Sequence, residues 1–164
     1  MNHAPQRRSQ RKRKTTVTRK GWRRSKPHIK PITCPYCGGQ ALLRPAKEIK
    51  RQPTYEYLWV CVRFPECDSF VSAHDGSKRP MGTLANRRLR RKRHEAHKHF
   101  DMLWQIGIFH NRRDAYFWLR DVIGIPYGFL HIGKMDEGFC DKVIRESQKV
   151  MRNYSEQKCN DNRI

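Results

Sequence analysis

Cys34, Cys37, Cys61 and Cys67 are the residues of this sequence best placed to do chemistry. Cys34 and Cys37 stand in a Cys-x2-Cys turn followed by Gly38 and Gly39, and Cys61 and Cys67 are spaced Cys-x5-Cys around Pro65, with 23 residues between the two pairs. A tight turn points both sulfurs of a pair to one side, and the glycines let backbone N–H groups fold toward a metal. Two such knuckles supply four thiolates, enough to close a tetrahedral site with no open position. One structural Zn2+ is expected, with no catalytic work to do. Disulfides or isolated buried thiols are the alternative. The N-terminus is densely basic and lacks the apolar core of a secretory signal, which argues against an oxidising compartment and favours metal ligation.

Other candidates are weaker. His94, His97, His99 and Asp101 share one helical segment, and His97 and Asp101 stand four apart, close enough to approach one metal or one proton. The run has no second carboxylate or Glu in an arrangement resembling a metalloenzyme, and the expected role is polar surface. Cys140 falls on an apolar stripe and Cys159 in a polar tail, so neither joins the zinc ligands. The 15 acids are scattered, whereas a nuclease needs them clustered around a catalytic metal. No catalytic residue and no small-molecule substrate is expected.

The charge is a stronger signal. The chain carries a formal net charge of +21 and a pI near 10.3, so its expected partner is a polyanion. No run approaches a membrane span and no lipidation signal is present, which leaves nucleic acid ahead of membrane surfaces. Residues 1–30 hold twelve Lys or Arg, no acid, and one aromatic, Trp22. Such a segment buries too little surface to offset its ordering entropy, and a disordered basic arm is expected there. Its role would be counterion release on a phosphate backbone. A plain solvated tail, or a nuclear signal at Arg11–Lys14 in a eukaryotic host, is the alternative.

These residues must be positioned by a small α+β fold: a zinc ribbon of short antiparallel strands over 31–77, then a helical part of about three helices over 78–155. The disordered arm at 1–30 precedes them, and a polar tail at 156–164 follows. Strands are expected at Ala41–Arg44, Tyr55–Val62 and Phe70–Ala73. In the second, Tyr55, Tyr57 and Trp59 fall on one face and Glu56, Leu58 and Val60 on the other. Exposed, the three aromatics would stack on bases while Arg44, Arg51 and Arg63 hold phosphates; covered, they would pack against the helices. A basic helix is expected from an N-cap at Thr83 to Trp104, with Leu89, Ala96, Phe100, Leu103 and Trp104 on its apolar face. Arg87, Arg88, Arg90, Arg91 and Lys98 fall outside that face and are expected to contact nucleic acid. A second helix should start in the capping box at Asn111–Asp114, present Ala115, Trp118, Leu119 and Val122 on one face, and stop at Gly124. A third, from near Asp136, carries Phe139, Cys140, Val143, Ser147, Val150 and Tyr154 on a stripe.

The Cys34–Gly39 knuckle and the Cys61–Cys67 knuckle, with Phe64-Pro65 before the last ligand, resemble the zinc ribbons at the C-terminus of bacterial type I topoisomerases. The longer run through Phe70–His74, Met81–Ala85 and Ala96–Trp104 resembles the zinc-finger-containing domain proteins of phages and bacterial prophages. That resemblance covers about residues 33–147 and leaves out the N-terminal arm. It implies a zinc ribbon fused to a helical part, a nucleic-acid role and a place in the cytoplasm of a bacterial host cell. The topoisomerase likeness favours single-stranded DNA, with DNA ahead of RNA. The competing expectation is an interaction protein that grips a host polymerase, replication or repair enzyme through Trp104, Tyr116, Phe117 and Trp118.

Overall fold

The computed structural model describes residues 31–126, 128 and 130–161. The arm expected over residues 1–30 lies outside them, as do residues 162–164 of the expected tail. Three antiparallel strands, β1 (Ala41–Pro45), β2 (Tyr57–Cys61) and β3 (Phe70–Ser72), form a sheet in the order β1-β2-β3. Ala41 pairs with Cys61, and Trp59 sits between Leu43 and Val71. This register sets the two knuckles side by side at one end of the sheet. The small α+β fold therefore matches the expectation, and three helices follow the sheet: α1 (Arg87–Gln105), α2 (Arg112–Ile123) and α3 (Glu137–Asp161).

The start of α1 differs from the sequence expectation. Asn86, not Thr83, is its N-cap, and the Asn86 side chain accepts the Leu89 N–H at 2.9 Å. Residues 80–85 belong to the ribbon's edge instead. Ala73 bridges to Pro80, and Phe70 exchanges backbone hydrogen bonds with Ala85 at 3.1 and 3.2 Å. The Thr83 N–H donates to the Gly133 carbonyl at 3.0 Å. Thr83 has the chemistry of a cap, but these long-range pairings engage the backbone around it before α1 begins.

The ends of helix α2 follow their sequence signals, while Ile123 is buried where Val122 is expected. Asn111 accepts the Asp114 N–H at 3.0 Å and donates to the Asp114 carboxylate at 2.9 Å. Gly124, in the left-handed region at φ 76°, ends the helix. The helical core joins Ala96, Phe100 and Leu103 of α1 to Ala115, Leu119 and Ile123 of α2 and Cys140, Val143 and Ile144 of α3. Each of its large apolar side chains contributes about 1.5–3 kcal/mol on burial. Phe139, expected on the α3 stripe, is 38% exposed, and Ile144 takes the inward position. Helix α3 also runs on to Asp161, into the segment expected as tail.

The two halves meet where Gly82 crosses Gly133. A Cβ on Gly82 would overlap the Gly133 carbonyl oxygen and lie 3.1 Å from its Cα. The backbones approach this closely only because Gly82 has no side chain. Nearby, Arg93 is buried and ties three segments together: Nε donates to the Met135 carbonyl at 2.8 Å, while the other nitrogens donate to the Thr83 carbonyl and hydroxyl at 2.8 and 2.7 Å. Gly82→Ala is expected to cost about 1–3 kcal/mol through overpacking. Gly76→Ala, which meets nothing within 4 Å, should stay within about 0.5 kcal/mol of the parent. Thermal denaturation followed by circular dichroism measures both, and equal midpoints for the two variants would contradict the junction as described.

Candidate zinc centre and nucleic-acid interface

The knuckles bring all four sulfurs together. The Sγ atoms of Cys34, Cys37, Cys61 and Cys67 lie within 4.8 Å of one another, with Cys34 and Cys67 at 3.6 Å and Cys37 and Cys61 at 3.3 Å. A tetrahedron with Zn–S bonds of about 2.3 Å has S···S edges of about 3.8 Å. A disulfide needs about 2.05 Å. All four cysteines are free thiols, and their geometry fits one structural Zn2+. Local hydrogen bonds shape each knuckle. Cys34 N–H donates to the Gly39 carbonyl at 2.7 Å, Gly38 N–H to the Cys34 carbonyl at 3.0 Å, and Cys67 N–H to the Arg63 carbonyl at 2.9 Å. Gly38 takes φ 71°, and a Cβ on Gly39 would lie 3.4 and 3.6 Å from the Cys37 and Cys61 sulfurs.

Ser69 completes the centre and was not singled out from sequence. It is fully buried, with Oγ 2.9 Å from Cys34 Sγ and 3.4 Å from Cys67 Sγ. Burial raises the Cys34 thiol, but the Ser69 hydroxyl and the Tyr36 and Cys37 backbone N–H groups outweigh it and bring the pKa down to about 6. Burial pushes Cys61 the other way, to about 12, with the neighbouring sulfurs adding to the rise. One thiolate forms easily here while another resists. A divalent ion removes that conflict by deprotonating its ligands outright.

The next residue before Ser69 wires the centre to α1. Asp68 accepts the Arg87 backbone N–H at 2.9 Å, so its charge sits at the helix N-terminus where the dipole favours it. Arg90 donates to the Asp68 carbonyl at 2.6 Å, to the Ala85 carbonyl, and to the Asp68 carboxylate at 3.4 Å. Its guanidinium lies 3.6 Å over the Phe70 ring. Arg90 thus acts as a strut between ribbon and helix.

The other basic residues divide by the face they occupy. Arg88 reaches Glu137 at 2.8 Å, and Lys92 reaches Asp141 at 2.8 Å and Glu95 at 3.8 Å, so α3 supplies most of the acids that balance this flank of α1. Arg87, Arg91 and Lys98 point away from the core, are exposed, and form no ion pair among the described residues. Arg51 and Arg63 are exposed on the ribbon, and Arg44 pairs with Glu48 at 3.1 Å.

Of the two arrangements open to the aromatic face, the structure shows the covered one for Trp59 and Tyr57. Trp59 is 9% exposed, packed with Cys34, Cys61, Ala73 and Leu84, and its Nε1 donates to the Lys78 carbonyl at 2.8 Å. Lys78 Nζ lies 3.8 Å over the half-buried Tyr57 ring. Residues 78–85 fold back across this face and cover it. Tyr55 is half-buried as well and lines a cleft of about 620 Å3 shared with His94, His97, Lys98 and Asp101. Burial lowers the His97 pKa despite the nearby Asp101 carboxylate. His94, His97 and Asp101 do not converge, and the four cysteines are the one group among the described residues able to hold a metal. Of the helical aromatics, Trp104, Tyr116 and Trp118 pack against the core, while Phe117 is 41% exposed.

A zinc-finger-containing domain spans residues 30–150. The chain belongs to this family. No curated protein and no solved structure matches it. Its match runs from just before the first knuckle into α3, so the cysteine centre and the helices form one family unit. Among the described residues, no helix is long and apolar enough to cross a membrane.

Ser69→Ala is expected to weaken zinc binding about 10–100-fold, since the hydroxyl that supports two sulfurs is lost. Competition against a chelator of known affinity measures it. An unchanged affinity would reduce Ser69 to a space-filling role.

Proposed function

We propose that this zinc-finger-containing domain protein is a non-enzymatic nucleic-acid-binding protein, phage-encoded and acting in the cytoplasm of a bacterial host. DNA is its target, single strands ahead of duplex. The observation that carries the reading is the unpaired outer face of α1. Arg87, Arg91 and Lys98 fall at i, i+4 and i+11, a line of charge about 16 Å long on a rigid helix. Acids from other elements neutralise Arg88, Lys92 and Arg90 but leave this line alone. A spaced row of cations suits a phosphate backbone, which it would track without reading sequence.

Tyr55 supports the preference for single strands. It shares a cleft with Lys98, so a base stacked on the ring would leave its phosphate near the cationic row. Arg51 and Arg63 extend the positive surface over the ribbon, and the twelve cations of residues 1–30 would add salt-sensitive hold. The alternative, an interaction protein binding a host polymerase, replication or repair enzyme, is favoured by one observation: Leu42 and Val62 are 53% and 50% exposed on the ribbon.

Fluorescence anisotropy of the full chain with single-stranded and duplex DNA across a salt series tests the reading. Replacing Arg87, Arg91 and Lys98 with Gln should lower the salt slope on single strands by about 2. Tyr55→Ala should weaken single-strand binding by about 1–3 kcal/mol and leave duplex binding alone. Unchanged slopes in the triple variant would refute a nucleic-acid role for α1 and turn attention to the exposed ribbon apolars.

A further inference from the structure

Beside the junction with the ribbon, the start of α2 and the 3-10 turn at Ile132–Lys134 line a second cleft, of about 540 Å3. Arg112, Arg113, His131 and Lys134 line it, with Tyr116 among them. Arg112 is partly engaged, 3.8 Å from Asp101 and 5.7 Å over the Tyr116 ring. Arg113 and Lys134 are exposed and have no carboxylate partner among the described residues. His131 Nδ1 accepts the Gly133 N–H at 3.1 Å, which leaves the proton of the neutral ring on Nε2 as a donor. Burial lowers the His131 pKa, and Lys134, Arg112, Arg93 and His74 lower it further. The cleft is thus a concave site of positive potential, built from donors of two elements and separate from the α1 row.

We propose that this cleft binds a phosphate monoester, held by Arg113, Lys134 and His131, with Arg112 and Tyr116 against its nucleoside side. A monoester carries about −1.5 to −2 charge at pH 7 and three terminal oxygens, so it answers several converging donors at once. A diester, with one charge per residue of backbone, is better served by the linear row on α1. The monoester comes from one of two sources, the 5′ end of a DNA strand or a free nucleotide. The strand-end source extends the function proposed above, whereas the free-nucleotide source stands without it.

The test uses the full zinc-loaded chain and four probes: a single strand with a 5′-phosphate, the same strand with a 5′-hydroxyl, AMP, and adenosine. The phosphorylated strand is expected to bind at least about tenfold tighter than its hydroxyl twin, or AMP to bind where adenosine does not. Arg113→Gln combined with Lys134→Gln should abolish that preference while the thermal midpoint holds. Arg152→Gln, which removes an exposed charge on α3 outside both proposed sites, should keep it. Preference for the phosphorylated strand alone assigns the strand end, and AMP binding with equal strands assigns the free nucleotide. Equal strands together with no AMP binding overturns the proposal, and so does a preference that survives the double variant. Either failure leaves binding of the strand itself, and with it the α1 reading, separately readable from the hydroxyl probe.

Discussion

Four sulfurs held within 4.8 Å are the constraint on which this structure rests. Without a cation, thiols so close resist losing all their protons, and the ribbon around them has little else to stabilise it. Its two apolar clusters are small: Trp59 and Leu84 with cysteines and alanines on one side, Leu58, Val60 and Phe70 with Ala46 on the other. A core of that size leaves much of the folding free energy to the metal. The coupling to the helices is carried by four consecutive residues. Cys67 is a ligand, Asp68 accepts the first N–H of α1 and anchors Arg90, Ser69 supports two sulfurs, and Phe70 pairs with Ala85 beneath the Arg90 guanidinium. Holding the second knuckle in place therefore holds the N-terminus of the basic helix in place.

That helix serves three environments at once. Its inner face buries Leu89, Ala96, Phe100 and Leu103 together with the Arg93 clamp, its flank exchanges ion pairs with α3, and its outer face keeps Arg87, Arg91 and Lys98 for solvent or ligand. The first turn contains no acid of its own. Asp68, nineteen positions upstream of Arg87, supplies the missing negative charge. The helix N-terminus is stabilised by the ribbon, and the ribbon is stabilised by zinc.

Local chemistry was legible in the sequence. Paired cysteines identify the zinc ligands because turn geometry fixes where their sulfurs go, and Asn111, Asp114 and Gly124 mark the ends of α2 because caps act within a few residues. What was not legible depends on distant partners. Thr83 reads as a cap until Phe70 and Gly133 claim the backbone around it. Trp59 reads as one of three aromatics on a face that could be open until residues 78–85 return to cover it. Arg88 reads as a nucleic-acid contact because its partner, Glu137, arrives some fifty residues later. Arg93 carried a signal that could have been used: it lies four after Leu89 and three before Ala96, on the apolar side.

The most direct measurement is amide hydrogen exchange of the chain with and without zinc, alongside the metal stoichiometry. The account predicts one zinc per chain. On chelation, protection should be lost together across β1–β3 and at the Arg87 and Leu89 amides, and equimolar zinc should restore it. Strands and α1 N-terminus that stay protected in the metal-free chain would show that packing alone holds them, and would contradict the dependence of the basic helix on the cysteine centre.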